Sequence, residues 1–211
     1  MFVACTKLMT VDNKKKFPDC ISKLLMDFFE SEAENGIPGA FNNLGCLSEN
    51  GKLGYKDVEK AIECYKKAID MGDIFAIYNM GDLYYNGKNI AKDYNKARKY
   101  YELGKKHGSA YCVCMIGDMY KYGRAFEKDR YKANLYYKYA FGLPVEEART
   151  YQELGQLYKS MDDIYYEGIG EAKDYDLAID LYEKAIDYFV KYSSSGDHTY
   201  INRIEVQNFC L

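Results

Sequence analysis

The chain of 211 residues contains no tryptophan, two histidines and three prolines. His107 falls near the end of a helical stretch, where a cationic ring faces the negative end of the helix dipole, and His198 follows a run of serines. No catalytic triad is assembled from two such positions. Pro18, Pro38 and Pro144 all lie outside the periodic stretches, where a proline ring would remove a hydrogen bond and clash with the preceding turn. A long basic run is missing too: 29 Lys and Arg stand against 32 Asp and Glu, a formal charge of -3. That balance lacks the electrostatic footprint of a nucleic-acid binder. The seven cysteines are odd in number and form no paired Cys-x-x-Cys motif, which points to free thiols in a reducing compartment and makes the cytoplasm the expected location. Cys112 and Cys114 are two apart on a helix and point to different faces, so they make no chelating pair. The opening Met1 to Cys5 is briefly apolar without a charged segment before it, and is expected to be neither a signal peptide nor a membrane span. No metal or cofactor is expected.

What the chain has is tyrosine, 24 of them, and an internal period. Leu44-Gly45, Met80-Gly81, Ile116-Gly117 and Leu154-Gly155 place glycines 36, 36 and 38 residues apart. A second ladder, Ala61, Ala97, Ala133 and Ala178, is spaced 36, 36 and 45, and in every unit a glycine precedes the alanine by ten residues: Gly51, Gly87, Gly123 and Gly168. A period of this size predicts a two-helix unit.

Between glycine and alanine each unit carries a Lys-Asp pair, ending on Asp57, Asp93, Asp129 and Asp174. Each Asp is four residues before its Ala, where a carboxylate caps the N–H groups at the start of a second helix. The first helix reads Ala76 to Tyr84 with a buried stripe at helical spacing. The second repeats a small-ring-small stripe: Ala61, Tyr65, Ala68; Ala97, Tyr101, Gly104; Ala133, Tyr137, Ala140; Ala178, Tyr182, Ala185. Gly81 and Ala97 are expected to let two backbones approach closely while Tyr84 and Tyr101 fill the space around that contact. One such pair buries too little, so neighbouring pairs must stack.

The pattern A-x-x-x-L-G-x-x-Y-x-x-G followed by K-D-x-x-K-A-x-x-Y-Y-x-K-A resembles the Sel1-like repeat, a relative of the tetratricopeptide repeat. The likeness covers roughly residues 39 to 189 and is fullest from Ala76 to Gly108. Cys112 and Thr150 replace the first Ala, Leu47 replaces the first-helix Tyr, and Leu177 replaces the Lys before Ala178. The resemblance implies an all-α fold, a right-handed α-α superhelix (solenoid) of about four helix-turn-helix repeats with flanking capping helices. The expected boundaries are a capping helix over 17–36, repeats over 39–73, 74–109 and 110–145, an extended repeat over 146–192, and a tail or cap over 193–211. Leu25, Phe29 and Gly36 sit 36 residues before Ala61, Tyr65 and Gly72, which assigns the cap its register. In the fourth unit seven extra residues separate Gly155 from Gly168, predicting a first helix lengthened through Met161 to Tyr166. The last helix is expected to overrun through Val190 before Ser193 to Gly196 breaks it.

The carboxylates Asp162, Asp163, Glu167 and Glu171 gather at the insertion and are read as a solvated loop end. Gly168-Ile-Gly170 follows no strand and is read as a turn, not a phosphate loop. What the resemblance implies for function is a binding surface: the concave face of tetratricopeptide-like arrays is lined by exposed first-helix positions. Carried over by register, these are Asn42, Cys46 and Glu49; Tyr78, Asp82 and Tyr85; Cys114, Asp118 and Lys121; Gln152, Gln156 and Lys159. The expected site is the partner-binding set Asn42, Tyr78, Asp82, Tyr85, Asp118, Lys121, Gln152 and Gln156, centred on the tyrosines and Asp82 and Asp118. A clamp for an acidic C-terminus needs more cations and amides than Asn42 and Asn79 supply. The implied role is that of a non-enzymatic adaptor, scaffold or regulatory protein whose partner is another protein or peptide. The resemblance leaves two alternatives: a dedicated effector-neutralising, immunity-type binder, and a β-lactam-binding or hydrolysing enzyme like cysteine-rich Sel1-like proteins. The second is disfavoured because the positions of their stapling disulfides, near Ile69 and Ile77, carry no cysteine.

Overall fold

The structure is a computed structural model that describes residues 19–51, 56–87, 89–143, 158–159, 165–166, 168 and 172–194. Eight helices are defined among the described residues: α1 (Asp19–Glu34), α2 (Pro38–Asn50), α3 (Val58–Asp70), α4 (Ile74–Asn86), α5 (Tyr94–Lys106), α6 (Ala110–Tyr122), α7 (Arg130–Phe141) and α8 (Tyr175–Ser194). No strand occurs among those residues, and residues 158–159 and 165–166 are also helical. The chain is all-α, built from helix pairs of the α-α solenoid class.

The punctuation that ends one helix and starts the next recurs in each repeat. Gly51, Gly87 and Gly123 close α2, α4 and α6 in the left-handed region, with φ of 70°, 64° and 67°. At Gly87 a β-carbon would also run into the Lys92 side chain, so the position is closed to larger residues on both counts. The chain then turns so that the N–H of each capping Asp donates to a carbonyl near the end of the first helix: Asp57 to Ser48 at 3.0 Å, Asp93 to Tyr84 at 2.9 Å, Asp129 to Tyr120 at 3.0 Å and Asp174 to Tyr165 at 3.1 Å. The Asp carboxylate then accepts from the third residue onward, Lys60 N at 2.8 Å, Lys96 N at 2.9 Å, Lys132 N at 2.9 Å and Leu177 N at 3.0 Å. All four second helices therefore start where the Lys-Asp pairs lie. Tyr165 takes the role of Tyr84 and Tyr120 although it is ten residues beyond Gly155 instead of three, so the fourth unit regains register after its extra seven.

The same bonds correct one register assignment. Ser48, not Leu47, stands at the position of Tyr84 and Tyr120; Leu47 aligns with Leu83 and Met119, and all three of these apolar residues are fully buried. Sequence reading also missed the caps of the first helices. Asp73 accepts from Phe75 N and Ala76 N at 2.7 and 3.1 Å, and Ser109 accepts from Cys112 N at 3.2 Å. At the third such position Ile37 offers no side-chain cap and Pro38 opens the helix, where its missing N–H costs nothing.

The chain divides into two compact units, Met1–Ala97 and Arg98–Leu211. In the first, α2 packs on α3, α1 on α2, and α4 on α3 and α2. Its core holds Leu25, Phe29 and Ala33 of α1, Ala40, Leu44 and Leu47 of α2, and Cys64 of α3. Leu25 and Phe29 are thus buried as the 36-residue offset from Ala61 and Tyr65 predicts, and full burial of a ring such as Phe29 contributes about 1.5–3 kcal/mol. In the second unit α6 packs on α7, and Leu181 of α8 joins Val113, Cys114, Ala133, Tyr137 and Ala140 in one core. α8 runs 20 residues where α2 to α7 run 12 or 13, the overrun expected at the last helix. Residues 160–164 of the insertion and residues 195–211 of the tail lie outside the described residues.

Candidate functional site

Tyr65, Tyr101 and Tyr137, the rings of three of the four small-ring-small stripes, are among the largest fully buried side chains of the described residues, while Tyr182 of the fourth is half-buried. A β-carbon built on Gly45 would lie 2.5 Å from Cε1 of Tyr65, and one on Gly117 would lie 2.5 Å from Cε1 of Tyr137. Each repeat glycine with a described contact is therefore the seat of a tyrosine ring. The backbone approach expected at this point is present as well, with the Ala133 carbonyl 3.2 Å from the same virtual carbon, but the ring is the closer neighbour. The signal was legible: tyrosine recurs with the alanine in every second helix.

The seating aims the Tyr65 and Tyr137 phenols at the positions proposed to line a binding face. In the first unit the Tyr65 hydroxyl donates to the Glu49 carboxylate at 2.9 Å and stands 3.4 Å from Cys46 Sγ. Burial, reinforced by Cys46 and Glu49, pushes the Tyr65 pKa well above its ordinary value. Asn79 Nδ2 of α4 donates to Asn42 Oδ1 of α2 at 2.8 Å and lies 3.5 Å from Cys46 Sγ. A polar strip thus runs across two first helices. In the second unit Tyr137 donates to Asp118 at 2.6 Å. Asp118, one residue after its glycine, does for Tyr137 what Cys46 and Glu49 do for Tyr65.

This geometry changes the expected face. Asn42, Tyr85, Cys114 and Lys121 were expected to stand exposed and are buried, while Cys46, Glu49, Tyr78, Asp82, Asp118 and Lys159 are half-buried. The physical reason is that helix-to-helix packing reaches further around the first helices than a tetratricopeptide register implies. Tyr85 packs edge-on against Tyr94 at 5.5 Å, and the ammonium of Lys121 lies 5.5 Å from the centre of the Tyr122 ring. Of the aromatic pair at the expected centre only Tyr78, edge-on to Phe75 at 5.5 Å, keeps substantial exposure. Gln152 and Gln156 lie outside the described residues.

Other chemical candidates gain nothing from the fold. Cys46, Cys64, Cys112 and Cys114 are free thiols, with Cys112 and Cys114 both buried on α6. Burial pushes the Cys64 thiol up, against the opposing pull of Lys60 and Lys67. No group of three or more His, Cys, Asp or Glu among the described residues is placed to hold a metal ion. No described helix is long and apolar enough to cross a membrane.

Helix pairs repeating about every 36 residues, each joined by a glycine turn and an aspartate cap, with tyrosines seated on Gly45 and Gly117, define a class of α-α repeat protein. Residues 40–73, 74–109, 110–141 and 153–187 each match the Sel1 repeat, and the chain belongs to the Sel1 repeat family. The structure is similar to a Sel1 repeat protein from Oxalobacter formigenes, with a TM-score of 0.64 and 25% identity over 77% of this chain and 62% of that one. It is also similar in fold to a protective antigen of uropathogenic Escherichia coli strains displaying an SLR fold, with a TM-score of 0.61 and 24% identity over 79% of this chain and 34% of that one. The chain spans less than two thirds of the length of either structure. No curated protein matches the sequence.

Proposed function

We propose that this protein is a cytoplasmic, non-catalytic binding module, an adaptor, scaffold or regulatory subunit that holds a protein or peptide partner on side chains of its first helices. Sel1 repeats are typically protein-protein interaction modules, which supports the coarse reading. The observation that carries the finer one is the cross-helix strip of the first unit, in which Asn79 meets Asn42 at 2.8 Å beside the half-buried Tyr78 and Asp82. A ring and a carboxylate one helical turn apart on α4 offer apolar area and a hydrogen-bond acceptor on a pre-organised surface. In the second unit Asp118 and Lys121 of α6 are proposed as the corresponding positions, with Lys121 contributing through its packing more than through solvent contact. Asn42 and Tyr85 support the strip from within.

The test is site-specific photo-crosslinking in the source cells, with a benzophenone amino acid at Tyr78 and, as control, at the exposed Leu24 of α1. The proposal expects a discrete protein adduct at position 78 and none at 24. Equal labelling from both positions, or none from 78, rejects this surface.

A further inference from the structure

α7 departs from its sister helices on the side that faces solvent. Tyr131, Leu135 and Tyr139 are 63%, 49% and 51% exposed and recur every four residues, so they form one stripe on the face opposite the buried Ala133, Tyr137 and Ala140. The repeats supply their own comparison. At the same register α3 carries Glu59, Glu63 and Lys67, α5 carries Asn95, Lys99 and Leu103, and α8 carries Asp176, Asp180 and Lys184. Only α7 places three large apolar side chains there. Lys132 and Lys138 bracket the stripe on its two sides; Lys132 pairs with the capping Asp129 at 3.2 Å, and α7 itself contains Arg130 as a third cation and no carboxylate.

The outer side of α8 has the complementary character. Tyr175 and Ile179 are 52% and 59% exposed in the same four-residue spacing, with Tyr175 edge-on to Tyr166 at 5.7 Å; Asp176, Glu183 and Asp187 stand exposed beside them, as does Asp180, which pairs with Lys184 at 2.6 Å, so the face keeps a net negative charge. We propose that α7 of one molecule docks on α8 of a second copy, rings and Leu135 against Tyr175 and Ile179, lysines against the carboxylates. Pairing α7 with α7 brings Lys132 and Lys138 against their own kind, whereas the α7-to-α8 contact places opposite charges together. Two different patches meeting make a head-to-tail association, which extends beyond a dimer unless it closes into a ring. A contact of one helix against one helix is at the small end of specific interfaces, so the association is weak, on the order of 100 μM.

Sedimentation velocity on the full chain from roughly 5 to 500 μM, a range that brackets that affinity, tests the proposal with Leu135→Asp on α7 and Ile179→Asp on α8. Both sites are exposed, and far-UV circular dichroism checks that each variant stays folded; Tyr139→Glu serves as a second α7 variant. The wild type is expected to gain mass with concentration past the dimer or to a closed ring. Each variant alone stays a monomer, because each lacks one of the two patches. An equimolar mixture of the two forms a dimer and stops there, since Ile179→Asp supplies the intact α7 and Leu135→Asp the intact α8. A wild type that remains monomeric throughout, a single variant that associates like the wild type, or a mixture that stays monomeric overturns the proposal.

Discussion

Gly117 and Tyr137 share one space: a β-carbon on the glycine would stand 2.5 Å from the ring edge of the tyrosine, and the tyrosine hydroxyl then reaches Asp118 at 2.6 Å. The same arrangement joins Gly45 to Tyr65 and Tyr65 to Glu49. The repeat glycine thus fixes where the second-helix ring lies, and the ring fixes a side chain of the face proposed to bind. Gly117→Ala and Gly45→Ala should each destabilise the protein by about 1–3 kcal/mol through overpacking. Thermal or urea unfolding of each variant checks this. Unchanged midpoints in both would mean that the ring shifts aside freely and that the seat does not matter.

Tyr65 supplies a pH dependence. Its folded pKa is raised above the unfolded value near 10.0 by burial, so the native state keeps a proton that the unfolded chain releases. The associated stability is fully present below about pH 10 and is lost as pH rises from there toward the folded pKa, with a slope of at most about 1.4 kcal/mol per pH unit for one group. Urea unfolding at pH 8 to 11 should therefore show a shallower alkaline loss for Tyr65→Phe than for the wild type. Parallel curves would contradict the buried-phenol account.

The caps work at the acid end. The Asp129 carboxyl is held below its ordinary value, chiefly by the backbone N–H of Lys132, and Asp93 is held down in the same way by Lys96. Their contribution is present above the usual carboxylate range and fades as pH falls through the lowered values. At neutral pH Asp57→Ala should cost about 1 kcal/mol, the usual worth of an aspartate N-cap, whereas Asp57→Asn should cost less because the amide oxygen still accepts from Lys60 N. Equal losses in both would place the effect in charge and not in the hydrogen bond.

The thiols report packing. Cys46 is half-buried while Cys112 and Cys114 are buried, and burial raises the Cys64 thiol. Native-state alkylation followed by peptide mapping should label Cys46 well before Cys112 and Cys114, since the thiolate is the reacting form and needs access. Uniform labelling would mean that α6 opens on the timescale of the reaction.

The fold was legible because the signals were redundant. Asp57, Asp93, Asp129 and Asp174 announce helix starts, Gly51, Gly87 and Gly123 announce stops, and the glycine ten residues before each repeat alanine, Gly168 included, keeps register even across the insertion. The site was less so. Periodicity says which side of a helix faces inward, but how far a neighbour reaches around that helix depends on the packing angle, and for this reason Asn42, Tyr85 and Lys121 are buried where exposure was expected. The first-helix caps Asp73 and Ser109 were readable in principle, since each directly follows a left-handed glycine, Gly72 or Gly108. The stripe Tyr131, Leu135 and Tyr139 escaped notice because its spacing equals that of a core face, and only burial tells the two apart.

The central claim is that a partner lies on α4. Once the crosslinked partner is in hand, its affinity should be measured for the wild type, for Tyr78→Ala with Asp82→Ala, and for a deletion of the seven residues 158–164, which leaves Tyr165 three residues after Gly155 as Tyr84 is after Gly81. Tyr85 is left intact because it is buried. The account predicts that the α4 variant loses about 2 kcal/mol of binding or more, roughly 30-fold, at unchanged helicity, while the deletion binds like the wild type. Full binding by the α4 variant together with loss on the deletion would contradict it and move the site to the extended fourth repeat.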